Sequence, residues 1–161
     1  MMNVVTKYRL SNDMQAACVF DTVEEAVEAI FADVYEEAEE AIRVKVDSIV
    51  NQDEDPLKWD DEHDKIESEM KSKISQAGFV RKNGETLTVV PIVSLSNGEL
   101  EKVLEDFYLG KLERLPEEIP EKVRTLLKDR VEEWRKEMYL PAEIAWLIGD
   151  LGNRGDVEIA Y

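Results

Sequence analysis

From Val23 to Val50 the apolar residues Val23, Val27, Ile30, Phe31, Val34, Ala38, Ala41 and Ile42 recur at intervals of three and four, and most positions between them are carboxylates. This spacing draws a single apolar stripe along a helix. Such a stripe must bury itself against another element, which already implies a packed domain. Thr22 followed by Glu25 reads as a capping box, and Asp21 adds negative charge at the positive end of the helix. The expectation is one long acidic helix from Val23 to about Val50.

The flanking segments set the fold class. Asn3 to Leu10 and Ala16 to Phe20 read as strands joined through Ser11, Asn12 and Asp13. A second acidic helix is expected over Asp60 to Gln76, with Ile66, Met70 and Ile74 on one face and Gly78 ending it. Asn83-Gly84 marks a hairpin between Phe79 and Val90, and Pro91 should end its second strand. Ser96 to Glu99 is another capping box, opening a helix to about Leu115. Pro120 suits the start of a helix carrying Val123, Leu126, Leu127, Val131, Trp134 and Met138. Pro141 starts a shorter helix, and Asp156 to Tyr161 reads as a closing strand. The fold class is α+β: a small antiparallel sheet packed with about five helices, including the long acidic N-terminal one. The chain reads as one compact domain over residues 1–161, with any internal boundary near the prolines at 116 and 120.

Composition narrows the function. The formal net charge is −17, from 37 acidic and 20 basic side chains. Such a surface repels nucleic acid and anionic membranes and attracts basic proteins. No window holds the ~20 apolar residues that cross a bilayer, and the N-terminal residues do not resemble a signal peptide. With Cys18 as the only cysteine, no internal disulfide can form, and a cytoplasmic location is the expectation.

Familiar catalytic patterns are missing. His63 is the only histidine and sits among Asp60, Asp61, Glu62 and Asp64, where it reads as a solvated surface group. Cys18 lies in the apolar run Ala16-Ala17-Cys18-Val19-Phe20 and reads as a small buried hydrophobe. No glycine-rich phosphate loop occurs, and Gly149, Gly152 and Gly155 lack the preceding strand of a dinucleotide site. Asn51, Asp53, Asp55 and Glu62 match the first, third, fifth and twelfth positions of a calcium loop, but Pro56 replaces its turn glycine and Lys58 brings a cation to the ligands. No catalytic, cofactor or metal residues are assigned, and the chain is read as non-enzymatic.

The charge is one-sided. Asp21 to Glu69 holds nineteen acids against Arg43, Lys45, Lys58 and Lys65, whereas the rest of the chain is nearly balanced. Nine acids and no base fall between Asp21 and Glu40, about 30 Å of helix, or one charge per ~3.3 Å. One strand of duplex DNA carries a charge about every 3.4 Å. The candidate partner-binding residues are therefore Glu24, Glu25, Glu28, Asp33, Glu36, Glu37, Glu39, Glu40, Asp53, Asp55, Asp60, Asp61 and Glu62, with Tyr35 and Trp59 as apolar anchors. In size and charge the chain resembles, in general character, phage and mobile-element inhibitors that mimic DNA to block restriction or CRISPR nucleases. That resemblance implies a basic nucleic-acid-binding protein as partner. Two alternatives remain at this point. One is an assembly module that binds through Trp134, Met138, Trp146 and Leu147. The other is a divalent-metal hydrolase, which would need a cleft where three or more carboxylates converge.

Overall fold

The computed structural model describes residues 2–137 and 143–161. Its elements run β1 (Val4–Leu10), α1 (Val23–Asp33), α2 (Tyr35–Asp47), α3 (Pro56–Ala77), β2 (Phe79–Val80), β3 (Thr86–Leu87), β4 (Val89–Ser96), α4 (Asn97–Tyr108), α5 (Glu121–Glu137), α6 (Glu143–Arg154) and β5 (Val157–Ala160). This is the α+β class. The sheet differs in detail from the expected antiparallel one: its strand order is β1-β4-β5, and β4 pairs with β5 in parallel, Val93 facing Val157. A helical crossover between β4 and β5 is what permits that parallel pair.

The chain divides into two compact units. The first comprises residues 1–9, 13–19 and 91–161, and the second residues 10–12 and 20–90. Residues 116–120 lie inside the first unit. There the core gathers Leu95, Leu100, Leu104, Leu127, Trp134, Leu147, Ile148 and Val157 from β4, β5, α4, α5 and α6. The second unit has its own core, in which Ile30, Val34, Ala38, Ile42 and Val46 meet Trp59, Ile66 and Ile74 of α3 and Leu87 of the hairpin.

Several local expectations need correction. The long acidic helix is two helices, divided at Val34, whose φ of −104° and ψ of 19° leave the helical region. The apolar stripe continues across the break, since Ile30, Val34, Ala38, Ile42 and Val46 are all buried.

Residues 16–20 form no strand. Asp13 takes this loop instead: its carboxylate accepts from the backbone N–H of Ala17 (3.1 Å) and Cys18 (2.8 Å), and Ala16 adopts φ of 51°. Short polar side chains compete with ladders in this way. Cys18 is accordingly exposed, not buried. The first helix of the C-terminal group stops at Tyr108, not near Leu115, because Gly110 (φ 78°) and Lys111 close it by donating to the carbonyls of Phe107 and Asp106. Pro91 does not end its strand: it precedes Val93, the first β4 residue paired with β5, so no bond on that side needs its missing N–H. Met138 and Pro141 lie outside the described residues.

Candidate partner-binding face

All thirteen acidic candidates belong to the second unit. Its frame is set by side chains that tie α3 across α2 and then α1. Trp59 Nε1 donates to Asp47 (2.8 Å), His63 Nε2 contacts Glu39 (2.8 Å), and Lys71 reaches Glu28 (2.9 Å). Rising numbers on α3 meet falling numbers on α2 and α1, so α3 runs antiparallel to both. Lys71 also lies 4.7 Å above the Phe31 ring, a cation–π contact.

Two of these residues depart from expectation. His63 is not a solvated group: its side chain is 17% exposed, its ring lies 5.3 Å from that of Trp59, and its Nε2 faces a carboxylate. A carboxylate only accepts, so Nε2 carries the hydrogen. The signal was present in the spacing, since His63 continues the stripe Trp59, Ile66, Met70 and Ile74. Trp59 itself is buried and bonded to Asp47, and so offers a partner no anchor. Tyr35 is half exposed, with its ring edge-on to Phe31 at 6.0 Å.

The hairpin neutralises much of α2. Phe79 pairs with Leu87 and Val80 with Thr86, and Arg81 closes the loop by donating to the Glu85 carbonyl, leaving three residues with Gly84 at φ 89°. From that loop Arg81 Nε reaches Glu37 (3.3 Å), Lys82 N–H donates to the same carboxylate (3.0 Å), and Lys82 Nζ reaches Glu40 (2.7 Å). The hydrogen bond with Lys82 holds the Glu40 carboxyl below its ordinary pKa and raises that of Lys82. Glu39 meets both His63 and Arg43 (3.1 Å). Burial works to raise its pKa, but hydrogen bonds from His63 and Arg43 outweigh this and lower it.

The expected ridge is therefore split. Glu28, Glu37, Glu39 and Glu40 are paired, and Asp55 is consumed as the cap of α3, accepting from Lys58 N–H (3.2 Å). Glu24, Glu25, Asp33, Glu36, Asp53, Asp60 and Asp61 are exposed, and Glu62 is half-buried, with their carboxylates in no hydrogen bond or ion pair among the described residues. Sequence reasoning overlooked Asp64 and Glu67. With Asp60 they stand at i, i+4 and i+7, one row along a flank of α3 about 10 Å long. Lys58 and Lys65 lie some 130–150° around the helix from this row. Lys71, next along it, is held by Glu28.

The same segment excludes the calcium loop. Helix α3 begins at Pro56, so Glu62 is already in its second turn, Asp55 serves as the cap, and Asn51 Oδ1 accepts from Asp53 N–H (2.9 Å). His63, Asp64 and Glu67 could bring one ligand atom each to within 4.8 Å of one another. Nε2 of His63 is already engaged, so this set offers at most Nδ1 and two carboxylates, that of Asp64 exposed and that of Glu67 half-buried.

The alternatives fare differently. In the first unit Trp134 and Leu147 are buried, and of the described residues of the proposed apolar surface only Trp146 is open, at 61%. Glu113, Glu117 and Glu121 line a cavity of about 320 Å³, interleaved with Arg114, Arg124 and Lys128. Among the described residues these glutamates do not form a group close enough to share a cation. No helix among the described residues is long and apolar enough to cross a membrane. No protein-family model, curated protein or solved structure matches this chain.

Proposed function

We propose that this chain acts by binding, as a non-enzymatic inhibitor whose acidic unit occupies the nucleic-acid groove of a basic protein such as a restriction or CRISPR nuclease. The observation that carries this reading is the flank of α3. Asp60, Asp61, Asp64 and Glu67 hold four carboxylates along about 10 Å of helix, close to one per 3.5 Å, with no base among the described residues paired to Asp60, Asp61 or Glu67. A single DNA strand presents charge at a similar interval. The row is rigid because the adjoining face of α3 is locked by Trp59, His63, Ile66 and Ile74. Asp53 and Glu54 extend the charge beyond the helix start. The α2 carboxylates, tied down by Arg81 and Lys82, take the lesser role of supporting the field.

Association of this kind is fast, steered by charge and sensitive to salt. The test is to immobilise the chain, load an extract of nucleic-acid-binding proteins at low salt, and elute with duplex DNA or with a neutral polymer at equal ionic strength. Elution by DNA, with cleavage by the retained nuclease suppressed by the free chain, is the expected result. Retained proteins that DNA leaves in place would end the mimic reading. Contact through α6 is a second reading that rests on Trp146 alone, and Trp146→Ala abolishing retention while an Asp60, Asp64 and Glu67 neutralised variant keeps it would favour that reading.

A further inference from the structure

The first unit holds a cavity of about 230 Å³ beside β5, and we propose that it binds an organic cation, a guanidinium or alkylammonium head group, through Glu158. Three observations converge on it. One carboxylate oxygen of Glu158, Oε2, is buried without a hydrogen-bond partner, and Glu158 lines the cavity. The other oxygen, Oε1, is likewise in no hydrogen bond or ion pair among the described residues, so a ligand entering the cavity meets a carboxylate with no protein partner to displace. Among the described residues no base lines the cavity, and the bases adjoining this turn are engaged, Arg154 by Asp150 (3.0 Å) and Lys122 by Asp156 (3.3 Å). A cation from outside is thus the natural counterpart of Glu158.

The glycines of α6 point the same way. Gly149 and Gly152 line the cavity from within a helix, where glycine is disfavoured relative to alanine. Packing does not demand either one. A Cβ at Gly149 would meet nothing within 4 Å, and one at Gly152 would only touch the Ile159 side chain at 3.4 Å. Gly155 is different, for its φ of 76° and the adjacent Met14 carbonyl require it. What the two helical glycines do is leave the space open. The far wall, Gln15 to Ala17, is fixed by the Asp13 carboxylate, and the amides of Gln15 and Asn153 add neutral acceptors around the charged one. Several acceptors about one carboxylate suit a planar head with multiple N–H donors, which favours guanidinium over ammonium.

The cation could be a free solute or the tip of an arginine side chain on another protein. The test titrates the ¹⁵N-labelled full chain with butylguanidinium and follows the amides of Gly149, Gly152 and Asn153. Saturable shifts at low millimolar concentration are expected, with Glu158→Gln weakening the affinity by roughly tenfold or more, as loss of a charged hydrogen bond does. Gly149→Leu should fill the space and abolish binding while the thermal midpoint holds or rises. A peptide with a central arginine that shifts the same amides assigns the site to a protein side chain, and failure of the peptide alone assigns it to a free cation. Linear, unsaturating shifts, or equal affinity in Glu158→Gln, overturn the proposal. This site lies apart in sequence from the acidic helices, so its failure leaves the reading of α3 untouched.

Discussion

Replacing Asp64 by Asn should stabilise the protein while weakening its binding, and the opposition of signs is the informative part. Asp64 neighbours Asp60 at i−4, Asp61 at i−3 and Glu67 at i+3 on α3, and its side chain is 82% exposed. Like charges at these spacings cost about 0.2–0.5 kcal/mol each, so removing the shared member relieves roughly 0.6–1.5 kcal/mol. Asn and Asp have similar helix propensities, so little else changes. The variant gives up one favourable interaction, that with His63 Nδ1 at 3.9 Å, which counts only when the imidazole is protonated. Urea denaturation at low salt measures the net gain. The gain should shrink towards zero in about 1 M salt, where screening acts over about 3 Å. Partner association should slow in the same variant, because the missing charge contributes to steering. If Asp64→Asn destabilises the protein at low salt, or stabilises it equally at high salt, the row is not self-repelling and the argument from it fails.

Three further outcomes follow from the geometry. Glu39→Gln should destabilise the protein near neutral pH and change its acid profile. The Glu39 pKa lies below its ordinary 4.5 when folded, so its contribution is complete above that value and lost as pH falls through the lower folded one. The stability gap between the two proteins should narrow below about pH 4.5 in acid titrations followed by circular dichroism, and a gap independent of pH would contradict the pairing. Ile42→Ala, at a site with no exposure, should cost about 2–5 kcal/mol in urea unfolding. Gly155→Ala should cost at least ~1–2 kcal/mol, since it must hold a left-handed φ of 76° against the Met14 carbonyl, and a neutral result in thermal melts would mean the loop from Asp13 moves freely.

Short-range signals in the sequence carried over well where the chemistry is local. Thr22 and Ser96 cap their helices, each accepting from the N–H three residues on, but neither expected capping box closes among the described residues, Glu99 turning to Asn3 instead; Asn83-Gly84 turns the hairpin. The readings that failed depended on competition between local and distant demands. The apolar look of Ala16 to Phe20 could not show that the Asp13 carboxylate would claim its backbone. The stripe through Val34 was real, but nothing in its spacing marked the break there. His63 was read by its acidic neighbours in sequence, although its place four residues after Trp59 decided its surroundings. For the site, the surplus of charge was plain, yet which carboxylates stay unpaired was not. Lys71, Arg81 and Lys82 come to Glu28, Glu37 and Glu40 from more than forty residues away.

The placement of those bases bears on what the remaining charge is for. In the second unit, Lys71 and the hairpin pair Arg81 and Lys82 stand where an acidic helix faces another element, across α1 and α3 or against α2. Neutralisation there lets packed elements approach, and it is what any stable fold of this composition requires. Solubility alone asks for interspersed signs on the outer faces too, because mixed pairs add support and lower self-repulsion. Between Asp60 and Glu67 the flank lacks this mixing, for Lys71, next along it, is held by Glu28, and Lys58 and Lys65 are turned to another side of the same helix. A surface that keeps repulsion it could relieve with one lysine trades stability for something else, a pattern familiar at functional sites. Asp60→Lys sharpens the point: it should strengthen the fold through a new pair with Asp64 and weaken partner retention more than Asp64→Asn does, because it reverses a charge where the other removes one. Retention unchanged by the reversal, measured on the same column, would leave the row as solvated surface with no partner to meet.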